Sequence, residues 1–337
     1  MSSKNSDSNV SGKQPLSEEQ HAKISEIRKS LGQLPEKLLH YCTDASIARY
    51  LTARNWNVKK ATKMLKDTLK WRLEYKPEEI RWEDIAHEAE TGKIYRTNYF
   101  DKYGRSVLVM RPGCQNTKST KGQIRYLVYC MENAILNLPP DQEQMVWLID
   151  FDGFHLSNIS IKVTKETAHV LQEHYPERLG VAILYNPPKF FEPFWTVAKP
   201  FLEPKTCNKV KFVYADNDAS KMIMQGLFNM DELESSFGGN NQTVFNVDNY
   251  ASMMREDDKR MPLFWTQGSV SSEGAQSSSS IPAALIDSNN PESNCPDSNQ
   301  KFEGNLSSEH NHALECSSHN TDLGETNGND NVKVDER

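Results

Sequence analysis

The sequence predicts an α/β protein, in which helices cover a mainly parallel β-sheet and a small helical bundle precedes that sheet. The first observation is a set of short apolar runs bounded by Gly, Asp, Pro or Asn, at residues 106–110, 144–149, 181–185 and 209–213. The second is that helical patterns lie between these runs, at about 120–137, 161–174 and 190–202. Strands that alternate with helices are typical of βαβ crossovers, which place successive strands parallel.

Residues 17–80 carry the signals of the helical bundle. Ser17-Glu-Glu-Gln20 has the form of a capping box, in which the two outer side chains bind each other's backbone N–H groups. Apolar residues then follow at helical spacing through Leu31. A second helix is expected to begin at Asp44 and a third to span 58–74, where buried-type residues recur every three or four positions.

The remaining chain divides into a second domain and two polar termini. Residues 81–264 are predicted to form the sheet domain, with short helices over 217–264 that cover one edge. Residues 1–16 are rich in Ser, Asn and Lys, and residues 265–337 in Ser, Asn and acid, with Phe302 as the single aromatic residue after Trp265. Such segments bury too little apolar surface to offset their chain entropy, so both are expected to be disordered.

The net charge of −7 belongs to the C-terminal segment. Residues 267–337 contain 12 Asp and Glu against three Lys and Arg, a net charge of −9, so residues 1–266 carry about +2. A nearly neutral body argues against nonspecific nucleic-acid binding. It is compatible with brief contact with anionic membranes.

Several classes of site have no motif in this sequence. The six cysteines form no CxxC pair and no Cys/His ligand spacing, which favours reduced thiols in an intracellular protein. No HExxH, P-loop, GxGxxG or serine-elbow motif occurs, so we expect no metal, no cofactor and no enzymatic activity. The N-terminus lacks an apolar signal region and no apolar run reaches 18 residues. We therefore expect a cytoplasmic protein whose membrane contact is transient and peripheral.

Bulky apolar side chains are concentrated directly after Asn186-Pro-Pro188. They are Phe190, Phe191, Phe194, Trp195, Phe201 and Leu202. One interpretation is an ordinary amphipathic helix packed on the sheet. The other is a helix that lines a pocket on one side and touches a membrane on the other.

Dispersed motifs occur in a fixed order along the chain. Arg49-Tyr-Leu-Thr-Ala-Arg54 and Trp71-Arg72 resemble the helical N-terminal module of CRAL-TRIO proteins. The motifs that resemble their lipid-binding domain are Gly104-Arg105, Leu148-Ile-Asp150, Tyr175-Pro-Glu-Arg-Leu-Gly180, Asn186-Pro187, Lys199-Pro-Phe-Leu202 and Phe237-Gly-Gly239. The resemblance covers about 30–262 and is greatest to the phosphatidylinositol transfer proteins. It implies that the covering helices form a lipid pocket closed by a gate helix at 190–202, without catalysis.

The resemblance also implies a set of headgroup-binding residues. By position they are Arg54, Glu177, Arg178, Thr206 and Lys209. The chemistry fits, because a buried phosphodiester needs cationic partners and a hydroxyl adds a further donor. The carboxylate of Glu177 can accept from two inositol hydroxyls, while Arg178 either holds Glu177 or contacts phosphate. The alternative is a surface salt-bridge cluster of little energetic value.

Three pocket positions bear on which lipid is bound. The resemblance places Met145, Trp147 and Tyr175 in the pocket. Met145 and Trp147 stand where family members carry hydroxyl side chains for a choline lipid, which argues against phosphatidylcholine. Asn55 replaces a basic residue of the family, so phosphate has one cationic partner fewer.

The expected function is phosphatidylinositol binding and transfer between membranes, with presentation of the lipid to lipid kinases as a further expectation. The expected partners are phospholipid and membrane surfaces, without nucleic acid, and the protein is expected to be a monomer. The alternative is a sensor or carrier of another hydrophobic ligand that acts through protein partners.

Overall fold

The computed structural model describes residues 15–267, and side chains as far as Trp265. Its helices are α1 (Glu18–Leu31), α2 (Glu36–Tyr41), α3 (Asp44–Ala53), α4 (Val58–Tyr75), α5 (Trp82–Ala89), α6 (Thr120–Leu136), α7 (Ile161–His174), α8 (Phe191–Ala198), α9 (Pro204–Cys207), α10 (Asp218–Leu227) and α11 (Val247–Gln267). Its strands are β1 (Ile94–Phe100), β2 (Ser106–Met110), β3 (Met145–Asp150), β4 (Leu179–Tyr185) and β5 (Val210–Val213). Disorder is expected for 1–16 and 265–337, and of these segments residues 1–14 and 268–337 lie outside the described residues.

The five strands form one sheet in the order β1-β2-β3-β4-β5. The pairs from β2 to β5 are parallel, as the alternation of strands and helices predicted, and β1 pairs antiparallel with β2. The α/β fold class with a mainly parallel sheet is therefore confirmed. Strand β1 was not predicted, because Arg96, Thr97 and Asn98 interrupt its apolar pattern.

One face of the sheet forms the floor of a cavity. Because paired residues of parallel strands share a face, Trp147, Ala182 and Val210 form one row across β3, β4 and β5. The next row on that face is Ile149, Leu184 and Phe212. On the opposite face, the Tyr185 ring packs 5.3 Å from that of Phe237.

Helices α1 to α4 surround a hydrophobic cluster of their own. The predicted capping box is present at Ser17 and Gln20, and α3 begins at Asp44 as expected. The fully buried residues of this cluster include Ile27, Ile47, Leu51 and Leu65. Helix α2 was not predicted, since its six residues are too few to show a helical period.

The helical segment after β4 is shorter than predicted. The sequence pattern indicated one helix over 190–202, but α8 ends at Ala198 and a single 3-10 turn, Lys199–Phe201, follows. Pro200 explains the break, because proline lacks a backbone N–H and its ring clashes with the preceding turn. The chain then reaches the four-residue helix α9.

Helix α11 differs from the short helices expected over 217–264. It contains 21 residues and packs on α2, α5 and α6, and its Tyr250 contacts Tyr95 of the edge strand β1. Trp265, which we had assigned to the polar C-terminal segment, belongs to this helix and packs against the cluster of α1 to α4. Helix α10 does contact β5, so part of the predicted edge cover is present.

A buried ionic network joins the N-terminal helices to the sheet domain. Arg72 of α4 makes a two-pronged ion pair with Glu132 of α6, with distances of 2.8 and 3.1 Å. It also reaches Glu78 at 3.1 Å, and its guanidinium lies 4.6 Å from the Tyr41 ring centre. The hydroxyl of Tyr175 donates to Glu132 at 2.7 Å. The network thus ends beside the predicted headgroup motif.

Candidate functional site

A cavity of about 170 Å³ lies between the sheet floor and helices α6 to α9. Its residues are Ala53, Met131, Trp147, Ile149, Leu171, Gln172, Tyr175, Pro176, Glu177, Arg178, Leu179, Ala182, Leu184, Trp195, Leu202, Glu203, Lys205, Thr206, Lys209 and Val210. Most of the wall is apolar, and the charged residues come from two short segments, 177–178 and 203–209. A more open groove of about 690 Å³ shares Trp195, Leu202 and Val210 with this cavity.

Four of the predicted headgroup residues line the cavity, and we call them its polar end. They are Glu177, Arg178, Thr206 and Lys209. They stand at the amino ends of β4 and β5, whereas most ligands of open α/β sheets bind at the carboxyl ends. The loops that precede β4 and β5 therefore position the residues of the polar end.

Glu177 and Lys209 form the ion pair at the centre of the polar end. Lys209 Nζ lies 3.0 Å from Glu177 Oε2, and the two side chains keep 24% and 19% of their surface exposed. The backbone of Glu177 has φ +58°, a left-handed conformation that costs a residue with a Cβ atom. Such local strain is often stored at functional sites.

Arg178 is held by Glu143 rather than by Glu177. Its Nη1 donates to Glu143 Oε2 at 2.9 Å and to the Glu143 carbonyl oxygen at 3.0 Å. Glu143 also accepts from Arg49. Burial lowers the pKa of the Arg178 guanidinium to about 10, and repulsion by Arg49 adds to that effect. The guanidinium thus borders the cavity as a fixed, largely buried charge.

Arg54 is the predicted headgroup residue that the structure does not place in the cavity wall. Its guanidinium pairs with Glu203 at 2.9 Å and with Glu173 at 3.5 Å, although its neighbour Ala53 lines the cavity. Beside it, Lys205 donates to the Thr52 carbonyl oxygen at 3.0 Å. Arg54 therefore joins the end of α3 to the segment that follows α8.

The predicted pocket residues divide into two groups. Trp147, Tyr175, Trp195 and Leu202 line the cavity. Met145 differs from expectation, since it is fully buried in the core and does not line the cavity. It is the first residue of β3 and pairs with Leu179, and core side chains cover it there although the resemblance placed it in the pocket.

The phenylalanines of the predicted gate segment pack beside the cavity rather than in its wall. Phe190, Phe191 and Phe194 form an aromatic cluster with Phe151 and Phe154, in which the Phe151 and Phe191 ring centres are 4.5 Å apart. The Phe201 ring lies 4.9 Å from the Lys165 ammonium, outside the cavity wall. The aromatic cluster covers the neighbouring end of the floor.

Three polar residues of the site were not predicted. Gln172 donates to the Phe201 carbonyl oxygen at 2.8 Å and accepts from the Glu203 backbone N–H at 2.5 Å. Glu203 and Lys205 stand close to the predicted Thr206, and charged residues so near a predicted site residue are a signal in the sequence. Gln172 gave no such signal, because one glutamine on an amphipathic helix is usually solvent-facing.

Within the described residues, no helix is both long and apolar enough to cross a bilayer. The same part of the chain contains no group of three His, Cys, Asp or Glu side chains placed to hold a metal ion. What the site offers is an apolar cavity with paired charges at one end.

Comparison with protein families agrees with this geometry. The CRAL/TRIO domain matches residues 89–239, and its N-terminal companion domain matches residues 18–67. The chain belongs to the CRAL-TRIO family. The CRAL-TRIO domain match includes the polar end of the cavity, all five strands and α8, so the resemblance inferred from the motifs is confirmed.

Individual CRAL-TRIO relatives are moderately similar. A CRAL-TRIO domain-containing protein of Schizosaccharomyces pombe is 36% identical over 211 residues, which are 62% of this chain and 20% of that protein. The phosphatidylinositol transfer protein PDR17 of Saccharomyces cerevisiae is 36% identical over 177 residues, 49% of this chain and 50% of that protein. The chain thus spans half or less of the length of these relatives.

A solved structure shares the CRAL-TRIO architecture. The crystal structure of Sfh5 superposes with a TM-score of 0.55 at 16% identity, over 70% of this chain and 92% of that one. At this identity the likeness concerns the fold alone.

Proposed function

We propose that this protein binds phosphatidylinositol and transfers it between membranes. The observation that carries the proposal is the Glu177–Lys209 ion pair at the border of an apolar cavity. The relative PDR17, which is named as a phosphatidylinositol transfer protein, supports the same ligand class. The proposal involves no covalent step.

The polar end has the groups that an inositol phosphodiester requires. Lys209 and Arg178 supply positive charge for the phosphate, and the Thr206 hydroxyl supplies a further donor. The Glu177 carboxylate accepts from inositol hydroxyls. Arg54 acts from the rim, where a bound phosphate would compete with Glu203 for its guanidinium. In this arrangement binding exchanges one set of ion pairs for another, and the displaced Glu203 carboxylate, with 40% of its side chain exposed, is left to solvent.

The apolar part of the site lowers the main barrier to lipid transfer, which is the exposure of acyl chains to water. Two acyl chains contain about 30 methylenes, each of which costs about 0.8 kcal/mol in water, so escape from a bilayer costs on the order of 20 kcal/mol. A cavity that receives the chains while the protein is docked lowers this barrier. Two chains exceed about 170 Å³, so loading requires α8 and its neighbours to move apart, towards the adjoining groove.

The cellular setting follows from the same proposal. Contact with membranes is transient and peripheral, the protein works as a cytoplasmic monomer without nucleic acid, and lipid kinases receive the presented lipid. Trp147 occupies floor space and offers no hydroxyl for a choline headgroup, so phosphatidylcholine is expected to be a poor ligand.

A second candidate is a carrier or sensor of a smaller hydrophobic ligand that acts through protein partners. The cavity volume of about 170 Å³ favours it, since a small ligand would need less rearrangement. The position of Glu177 and Lys209 favours a charged headgroup, because a neutral ligand would not need a strained carboxylate at the cavity border.

The test is transfer of labelled phosphatidylinositol and phosphatidylcholine between vesicles. Wild type is expected to transfer the inositol lipid and little of the choline lipid, while Lys209→Ala and Glu177→Ala lose more than tenfold in inositol-lipid transfer. Lys211→Ala is the matched control, because Lys211 is an exposed lysine two residues after Lys209, within β5, and does not line the cavity. If folded wild type transfers neither lipid, the proposal fails and the smaller-ligand candidate replaces it.

A further inference from the structure

One hydrogen-bond donor in the cavity wall has no acceptor. Trp147 Nε1 is shielded from solvent and has no hydrogen-bond partner among residues 15–267. Five buried side-chain atoms in the described chain share this property, and Trp147 Nε1 is the one that belongs to a residue of the cavity wall. Buried polar groups are normally paired, so an unpaired indole N–H calls for an explanation.

The buried polar groups around Trp147 are already paired. Both ends of the Gln172 amide are bound by backbone groups of the segment after α8. The Tyr175 hydroxyl donates to Glu132. Neither side chain is hydrogen-bonded to Trp147 Nε1, and the apolar part of the wall is left with one donor that has no acceptor among the described residues.

The register of the sheet fixes how deep this donor lies. Trp147 shares a row with Ala182 and Val210, and Val210 directly follows Lys209 of the polar end. Neighbouring strands are about 4.8 Å apart, so the Trp147 backbone stands roughly 10 Å across the floor from β5. Trp147 thus belongs to the row of floor residues that lies next to the polar end.

We propose that Trp147 Nε1–H donates a hydrogen bond to an ester carbonyl oxygen of the bound glycerophospholipid. This inference rests on the proposed function and adds a specificity-determining residue to it. With the phosphate at the polar end, the next acceptors towards the chain ends are the two ester carbonyls. Beyond them the chains offer no acceptor at all. Trp147 thereby selects ester-linked over ether-linked lipids.

Loading the cavity brings the donor and the lipid together. A cavity of about 170 Å³ is close in size to one of about 150 Å³ that holds a single benzene molecule. Two acyl chains must displace the wall, and Trp147 is part of that wall. The N–H that is shielded in the compact cavity then faces the glycerol region of the lipid.

The test compares two lipids and three proteins in one transfer assay. The lipids are phosphatidylinositol with two ester-linked chains and its analogue with two ether-linked chains of equal length. Wild type is expected to favour the ester lipid about three- to tenfold, the range for one hydrogen bond. Trp147→Phe, which keeps an aromatic ring but removes the donor, is expected to lose that preference. Trp195→Phe, a change in the same wall at an indole that is not an unpaired buried donor, is expected to keep it.

A direct reading comes from the indole N–H resonance of Trp147 in the wild-type chain, assigned by sequence-specific NMR. Loading with the ester lipid is expected to move it to higher frequency, and loading with the ether lipid to leave it nearly unchanged. Transfer of both lipids with the same preference in wild type and Trp147→Phe would overturn this inference and leave the proposed function standing. Transfer of neither lipid by wild type would overturn both.

Discussion

Glu177 combines a functional side chain with a backbone conformation that suits glycine. Its φ of +58° places the Cβ close to the following carbonyl oxygen, while its carboxylate pairs with Lys209 at the border of the cavity. The backbone strain and the ion pair belong to different parts of Glu177, so a comparison of two substitutions at this position separates their effects.

We therefore expect Glu177→Gly to be about 1 kcal/mol more stable to unfolding than Glu177→Ala. Both variants lose the carboxylate, and only the glycine relieves the backbone. Both are expected to be equally poor in inositol-lipid transfer. Urea denaturation of the two variants measures the difference, and equal midpoints would show that the left-handed conformation stores no strain.

His174 makes stability depend on pH. Burial lowers its pKa to about 4, and His169 adds repulsion, while its ring stacks on Trp71 at 4.2 Å. Between about pH 6.5 and 4 the unfolded chain binds a proton that the folded protein does not. Stability from this group is therefore present above pH 6.5 and lost as pH falls, by up to about 3 kcal/mol.

His174→Phe keeps the stacked ring and removes the titration. The difference in unfolding free energy between wild type and this variant is expected to change steadily from pH 7 to pH 4, in favour of the variant. A difference that is constant over this range would mean that His174 titrates normally. Carboxylates affect both proteins alike, so they cancel in the comparison.

The sequence identified most site residues but not their pairings. Glu177, Thr206 and Lys209 line the cavity as their motif order indicated. Arg178 lines the cavity too, but it pairs with Glu143, and Arg54 pairs with Glu203 outside the wall. These pairs were not predicted, because ion pairs between residues 35 or 149 positions apart leave no trace in local spacing. Met145 was misplaced because the resemblance gives its position along the chain but not how completely neighbouring core side chains cover it.

At the scale of elements, the side chain of Gln172 binds the backbone of the segment that follows α8. Gln172 of α7 binds the backbone on both sides of Leu202, through the Phe201 carbonyl oxygen and the Glu203 N–H. The four-residue helix α9 follows directly. Gln172 therefore ties this segment to α7, as Arg54 and Lys205 tie it to the end of α3.

Gln172→Ala is expected to speed amide hydrogen exchange in residues 199–207 at least tenfold, since two backbone groups lose their partner. Global stability is expected to fall by only about 1–2 kcal/mol. Mass spectrometry of the exchanged protein measures both, with Glu166→Ala on an exposed position of the same helix as control. Unchanged exchange in this segment would show that the aromatic cluster holds it without Gln172.

The elements themselves were predictable where one physical signal dominated. Apolar runs located β2 to β5, and the capping box located the start of α1. Strand β1 and helix α2 were not predicted. Polar residues interrupt the apolar run of β1, and α2 is too short to show a helical period. The length of α11 depends on packing against α2, α5 and α6, which local sequence does not contain.

At the scale of the whole molecule, the Arg72–Glu132 pair ties the N-terminal helices to the sheet domain. Arg72 and Glu132 are both almost completely buried, so removing one charge leaves the other without its main partner. The position of Tyr175 in the same network connects this junction to the polar end of the cavity.

Glu132→Gln is expected to lower the unfolding free energy by about 3 kcal/mol or more. Glu74→Gln, which breaks an exposed pair with Lys70, is the control and is expected to change it by less than about 0.5 kcal/mol. Guanidinium denaturation distinguishes the two. Equal small losses would indicate that Glu78 alone satisfies Arg72.

The acidic C-terminal segment offers a test that rests on charge alone. Residues 267–337 carry a net charge of −9. Repulsion from an anionic surface acts within a Debye length, about 8 Å at physiological salt. Deleting residues 268–337 is expected to strengthen binding to anionic vesicles, more at low salt than at high salt, without effect on neutral ones. Equal vesicle binding with and without the segment would show that it does not regulate docking.

The order of the strands has a consequence for how the chain folds during synthesis. Each of β2 to β5 pairs with the strand made just before it, so the sheet can grow outward by one strand as the ribosome delivers each βα unit. Helix α11 departs from this order of assembly, because it packs on α2 and α5, which are synthesised long before it. The nascent protein therefore holds an assembled sheet while the sides of α2, α5 and α6 that α11 covers stay exposed, until about residue 267 has left the exit tunnel. A chaperone that binds exposed apolar surface would act during that interval.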